Sequence, residues 1–127
     1  MKLIGRYIFG GKTWIDILGE MMSEFKGREE EKFLLQALET IKDDLASDGI
    51  PIDESIRTVP DLKKWLMENG ESIKEIDSAF DIQCVITDTI DEMNAYMKDY
   101  EYVYYTDYDD MSGEWLLEIG VVDKEEG

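Results

Sequence analysis

The feature that most constrains this fold is a helix-start signal, Ser or Thr followed three residues later by an acid. Such a pair satisfies unpaired amide groups in the first turn of a helix. The signal recurs at Thr13 and Asp16, Thr58 and Asp61, Ser72 and Glu75, and Thr89 and Glu92. Apolar residues follow each pair at helical spacing. We therefore predict a helix at each of these four places, the first ending near Gly27 and the second closed by Gly70.

A fifth helix is indicated between the first two signals, over about residues 28–46. Leu34, Leu38, Ile41 and Leu45 form one apolar stripe there, and the sequence Gly49-Ile50-Pro51 ends it. The stretch IQCVIT (82–87) is compatible with a strand or with the middle of one long helix from 73 to 99. Hydrophobic periodicity leaves both alternatives open.

Three stretches are typical of β-strands. Residues 2–9 are rich in β-prone side chains and end at a Gly-Gly pair, while residues 101–106 and 115–122 flank the turn-rich sequence DYDDMSGE. We predict a single α+β domain over residues 1–127. It would contain a small, mostly antiparallel sheet with a C-terminal β-hairpin (about 101–106/115–122), and about four to five helices packed on one side of it.

Composition sets bounds on the class of protein. The hydrophobic content of 43 % and the fourteen aromatic residues among 127 favour a folded domain over disorder. No apolar run approaches the roughly 20 residues that span a bilayer, and the N-terminus lacks the pattern of a signal peptide. Cys84 is the only cysteine, and we interpret it as a small buried hydrophobe. These features predict a cytoplasmic protein without a disulfide.

Several catalytic and metal-binding classes conflict with the composition. The chain has no histidine, which excludes Ser-His and Cys-His nucleophile pairs and ordinary zinc sites. Asp107, Asp109, Asp110 and Glu114 supply oxygen atoms that a hard cation prefers. The spacing nevertheless departs from a calcium-binding loop, because Met111 and Ser112 stand where an acid or amide and a glycine belong. We expect no catalytic residues, no metal site, no cofactor and therefore no enzymatic activity.

Charge is distributed unevenly along the chain. Residues 1–74 contain fifteen acids and eleven bases, whereas residues 75–123 contain fourteen acids and one base, out of a total net charge of −18. A surface of one sign repels itself and attracts partners of opposite charge. Local structure offers simpler explanations: Asp91 and Glu92 would fall in a first helical turn, and Asp109 and Asp110 are common turn residues.

Strand geometry gives the acids a possible function. Alternate residues of a strand share a face at about 6.5 Å spacing, so the aromatic parity of residues 100–108 would pack on the helices. The acidic parity would point outward, together with Val103 and Tyr105, and would resemble a row of phosphates. We predict that a partner binds thirteen residues: Asp88, Asp91, Glu92, Asp99, Glu101, Tyr104, Tyr105, Asp107, Tyr108, Asp109, Asp110, Glu114 and Glu118. The tyrosines would act as anchors, since Tyr is enriched at interfaces.

The size, acidity and lack of catalytic side chains resemble small phage-encoded inhibitors of restriction or CRISPR systems. That resemblance implies an inhibitor that mimics nucleic acid and binds the basic surface of a nucleic-acid-processing enzyme. An immunity protein that neutralises a basic nuclease toxin predicts the same charge pattern, and an acidic domain without a charge-based function is a third alternative. The absence of a basic patch disfavours direct binding of nucleic acid, and nothing indicates a membrane.

Overall fold

Five helices and three strands follow one another in the computed structural model, which describes residues 2–124. The elements are β1 (Lys2–Gly11), α1 (Trp14–Glu24), α2 (Glu29–Ser47), α3 (Val59–Glu68), α4 (Ile73–Ala79), α5 (Ile82–Tyr96), β2 (Tyr100–Asp109) and β3 (Glu114–Asp123). This arrangement confirms the predicted α+β class and the C-terminal hairpin, whose strands extend beyond the predicted limits. None of the helices within residues 2–124 combines the length and the apolar character that crossing a membrane requires.

Three of the four helix-start signals have the predicted geometry. The Thr13 side chain accepts a hydrogen bond from the Asp16 amide, and the Asp16 carboxylate accepts one from the Thr13 amide, so a complete capping box opens α1. Thr58 caps α3 and Ser72 caps α4 in the same manner, each through its side-chain oxygen. A few hydroxyl groups therefore fix where these helices begin.

The prediction that Thr89 begins a helix was wrong. Helix α5 begins at Ile82, and Thr89 lies in its interior, where its hydroxyl donates to the Val85 carbonyl at 2.7 Å. Residues 82–87 are thus helical, but α4 and α5 are not one continuous helix, because Asp81 between them adopts a left-handed conformation with φ 47°. A Thr inside a helix can bond back to the preceding turn, which removes the capping role that the sequence pattern implied.

The sheet is antiparallel throughout and has the order β1-β3-β2. The last strand therefore lies in the middle, between the first strand and its hairpin partner. Tyr102 faces Val121 and Tyr104 faces Ile119 across the hairpin, while Phe9 of β1 faces Leu117 on the other side of β3. Both β1 and β2 are edge strands.

The core lies between one face of this sheet and the helices. Phe9, Leu117 and Ile119 from the sheet belong to the same buried cluster as Leu18 and Ile86 from the helices. Packing on only one face of an antiparallel sheet leaves the other face to solvent. Cys84 points outward from α5 and is exposed, so its interpretation as a buried hydrophobe was wrong.

Tyr102 attaches the edge strand β2 to the helices. Its ring is buried, and its hydroxyl donates a hydrogen bond to the carboxylate of buried Glu30 on α2 at 2.8 Å. The Asn94 side chain binds the backbone of Tyr102 as well. The Tyr102 backbone amide donates to Asn94 Oδ1 at 2.6 Å, and Asn94 Nδ2 donates to the Tyr102 carbonyl at 2.8 Å. Burial and the Glu30 contact both raise the pKa of the Tyr102 hydroxyl, so it remains a protonated donor.

We expect Tyr102→Phe to lower the free energy of unfolding by about 1–3 kcal/mol, because the Glu30 carboxylate would stay buried without its tyrosine donor. Chemical denaturation measures the difference. Tyr104→Phe is the matched control, because Tyr104 lies two residues along the same strand and is exposed. It should change the free energy of unfolding by less than about 0.5 kcal/mol. Equal losses in the two variants would show that the Glu30 contact does not anchor β2.

Candidate partner-binding surface

The outer face of the sheet, which no helix covers, is the first part of the candidate site. The strand register places residues of β1, β3 and β2 in rows across it: Leu3, Val122 and Glu101, then Arg6, Gly120 and Val103, then Ile8, Glu118 and Tyr105, then Gly10, Leu116 and Asp107. Asp109 and Glu114 form a further pair beside the turn. Five of the predicted acids therefore share this face.

Two of these five acids have structural contacts beyond the adjacent residue. Glu118 forms an ion pair with Arg6 of β1. The Asp109 side chain accepts the Met111 amide at 2.9 Å, and its backbone carbonyl accepts the Gly113 amide, so this residue organises the hairpin turn. Hydrogen bonds from Met111 and Ser112 lower the pKa of the Asp109 carboxyl. The turn explanation thus holds for Asp109, and partner binding is not needed to account for it.

Most of the other predicted acids are unpaired. The Asp107 carboxylate accepts only the adjacent Tyr108 amide, at 2.8 Å. Within residues 2–124, no hydrogen bond or ion pair involves the side chains of the remaining acids, which are Asp88, Asp91, Glu92, Asp99, Glu101, Asp110 and Glu114. A carboxylate without an internal partner remains available to an external cation.

The acids on the outer face do not form a continuous row. Val103 and Tyr105 stand between Glu101 and Asp107 along β2, and both are exposed, by 47 % and 58 %. Leu3 and Ile8 of β1, each 58 % exposed, add to this apolar centre. The expected spacing of phosphate-like charges is therefore interrupted. An apolar centre with a charged rim is the usual anatomy of a protein–protein interface.

The acids of α5 lie beside the sheet rather than on it. Asn94 binds Tyr102, while Gln83 and Tyr108 line one common cavity, so α5 runs antiparallel to β2. Asp91 is one helical turn before Asn94 and thus lies toward the β2 edge. Asp88 and Glu92 instead line a small groove between α5 and α2. The α5 acids are exposed but face in more than one direction, and none lies in a first helical turn.

The three candidate tyrosine anchors are also divided between the two faces. Tyr105 points to the outer side, opposite Glu118. Tyr108 packs its ring against Trp115 with centroids 4.7 Å apart, and Trp115 in turn contacts Trp14. Tyr104 shares the helix-side parity of Tyr102 but is 39 % exposed, because β2 is an edge strand. Only Tyr105 has the position predicted for an anchor among the outward acids.

Strand β1 also contributes to this face, which was not predicted from the sequence. Leu3, Arg6 and Ile8 are brought beside the hairpin by pairing with β3. Alternation was a usable signal for Arg6 and Ile8, since Tyr7 and Phe9 of opposite parity pack inward. It was misleading for Leu3, which has the parity of Tyr7 and reaches the outer face because the strand register shifts between Leu3 and Gly5. It could not show that β1 pairs with β3 rather than with β2.

The described residues contain no group of three or more acidic or cysteine side chains placed to hold a metal ion. A cavity of about 760 Å³ lies elsewhere, between α1 and α3 in the part of the chain whose charges nearly balance. Comparison of the chain with protein-family models, with curated proteins and with solved structures found no match.

The α5 acids are expected to cost stability. Asp88 and Glu92 lie one turn apart on the helix, and a like-charged pair at this spacing is destabilising. We expect Glu92→Lys to raise the free energy of unfolding by about 0.5 kcal/mol at low salt, since it converts repulsion into attraction. Thermal unfolding at low and high salt measures the effect.

The control for this prediction is Glu29→Lys on α2. Glu29 is also an exposed helical acid, but it forms an ion pair with Lys32 at 2.8 Å, so its reversal should lower stability. If Glu92→Lys destabilised the protein as Glu29→Lys does, self-repulsion would not be the dominant effect at the α5 acids.

Proposed function

We propose that this protein is a non-enzymatic acidic inhibitor that covers the basic nucleic-acid-binding surface of a target enzyme. In this respect it would act like phage-encoded inhibitors of CRISPR or restriction systems. The partner is a basic protein, neither a nucleic acid nor a membrane, and the place of action is the cytoplasm. The protein itself performs no chemistry and needs no cofactor.

The observation that supports this proposal is the group of unpaired carboxylates around β2 and the hairpin turn. Glu101, Asp107 and Glu114 lie on a sheet face without covering helices, and Asp110 is exposed in the turn. Arg6 is the one base whose side chain the register places among them, and Glu118 already holds it. Such a surface guides a cationic partner into an encounter and sets its orientation.

An immunity protein that neutralises one nuclease toxin is the second candidate. The apolar centre formed by Leu3, Ile8, Val103 and Tyr105 favours it. A purely phosphate-like surface would suit many nucleic-acid-binding proteins, whereas an apolar centre requires a complementary partner. The two candidates differ in the number of targets that the protein inhibits.

The experiment uses a panel of purified enzymes: a restriction endonuclease, a guide-loaded CRISPR nuclease and a basic ribonuclease toxin. Fluorescence anisotropy follows the binding of labelled nucleic acid by each enzyme while this protein is added. Displacement from one or more enzymes supports the proposal. Displacement from several favours the mimic, and displacement from the toxin alone favours the immunity protein.

In this assay we expect the double variant Asp107→Lys, Glu114→Lys to lose about tenfold or more in inhibitory potency, because like charges would then face each other across the interface. Asp43→Lys, Asp44→Lys makes the same change of charge on exposed positions of α2. These lie about 20 Å along the helix axis from Glu30, the residue that contacts β2, so this control should inhibit as the natural protein does. If both double variants inhibited equally, the hairpin acids would not form the binding surface.

Salt should weaken the association. The Debye length falls from about 30 Å at 0.01 M ionic strength to about 8 Å at 0.15 M, so long-range attraction between exposed charges is largely screened. We expect the association rate, measured by stopped-flow or surface plasmon resonance, to fall steeply over this range. A rate independent of salt would mean that the apolar centre alone determines encounter.

A further inference from the structure

A recess on the outer face of the sheet, beside Gly120, combines apolar side chains with an ion pair. It has a volume of about 320 Å³, and its walls are formed mainly by Leu3, Arg6, Val103, Tyr105 and Glu118. We refer to it as the Gly120 recess. It combines residues of all three strands, which the register brings side by side.

The absence of a side chain at residue 120 lets two apolar side chains lie over the backbone of β3 inside the recess. A Cβ atom there would lie 3.2 Å from the terminal methyl carbons of both Leu3 and Val103, closer than ordinary van der Waals contact. The glycine thus lets these two apolar walls converge above the backbone of β3. A side chain at position 120 would displace these two methyl groups by a few tenths of an ångström and would change the apolar surface that they form.

The rim of the recess differs from its walls. Tyr105 and Glu118 are direct cross-strand neighbours, so an aromatic ring and a carboxylate lie next to each other. Glu118 already binds one guanidinium, that of Arg6, while its side chain is still 31 % exposed. A carboxylate has more acceptor sites than one donor uses, so Glu118 can accept from a second cation.

Resting on the proposed function, we propose that the Gly120 recess receives an arginine side chain from the basic surface of the partner protein. The methylene stem of an arginine can lie on the apolar surface that Leu3 and Val103 form. Its guanidinium reaches the Tyr105 ring, where aromatic stacking is favourable, and the Glu118 carboxylate. A lysine has a comparable stem but lacks the planar group that stacks on the ring and binds a carboxylate through two nitrogens.

Charge favours this occupant over a second copy of the chain. Within residues 2–124, the outer face holds the acids Glu101, Asp107, Asp109, Glu114 and Glu118 against the single base Arg6. Two chains with a net charge of −18 each would repel one another across such a face. A cationic partner gains attraction from the rim and apolar burial in the recess at the same time.

The experiment compares tetra-arginine and tetra-lysine peptides, which have the same net charge, as probes of the intact protein. Calorimetric titration measures both affinities, and two-dimensional NMR maps the amide resonances that shift. We expect tetra-arginine to bind about threefold tighter or more. Its largest shifts should fall on Val103, Tyr105 and Gly120.

Two variants test the recess. Gly120→Ala displaces the Leu3 and Val103 methyl groups, and Tyr105→Ala removes an exposed ring. Each should abolish the preference for arginine and leave tetra-lysine binding nearly unchanged. Tyr96→Ala is the control, because Tyr96 is 52 % exposed but its ring already contacts Lys32. It should retain the preference.

The outcomes separate this inference from the proposed function. If both peptides bound equally, and Asp107→Lys, Glu114→Lys weakened both, the acids would bind cations but the arginine recess would be refuted. If that double variant weakened neither peptide, the acidic surface itself would be refuted. Sedimentation of the protein alone completes the test, since a dimer that Gly120→Ala disrupts would show that a second copy occupies the recess.

Discussion

The attachment of Tyr102 to two helices is the contact on which the acidic surface depends. β2 is an edge strand, so only β3 holds it through a full ladder of hydrogen bonds. The Glu30 carboxylate and the Asn94 side chain supply the missing contacts on the other side. Asn94 takes the place of a neighbouring strand at one residue and leaves the backbone farther along β2 open. The acids on β2 keep their positions because a buried tyrosine fixes the strand that carries them.

The carboxylates near this edge also disfavour pairing of the strand with a second copy of the protein. An open edge strand with exposed Val103 and Tyr105 is a template for pairing with another chain, and natural proteins counter this hazard with charges on the edge. Asp107 and Asp109 are well placed for that purpose. Protection and partner binding do not conflict, because a charge that repels a second copy attracts a cationic surface. The same residues can therefore exclude one neighbour and select another.

The sequence predicted the elements that depend on local chemistry and missed those that depend on remote contacts. Thr13, Thr58 and Ser72 bond to amides three residues away, so their helices could be read from the chain. The prediction of a helix start at Thr89 was wrong, because its hydroxyl donates to a carbonyl in the preceding turn of α5. Two other contacts join residues that are farther apart in the chain. Asn94 of α5 binds the backbone of Tyr102 in β2, and Lys124 donates to the Asn94 and Met97 carbonyls at the end of α5. For the candidate site, the exposure of Val103 and Tyr105 followed from parity, whereas the Gly120 recess required the pairing of β1 with β3.

The central position of β3 determines when the outer face of the sheet is complete. The hairpin closes over a four-residue turn and can form early, but β1 pairs with β3 across almost the whole chain. Contacts so distant in sequence form late, because a long loop must close before they are gained. During synthesis, Leu3 emerges from the ribosome long before Gly120, its neighbour in the recess. We therefore expect the outer face to form late in folding, and a chain without β3 has neither the Gly120 recess nor the strand pairing that orders the acids.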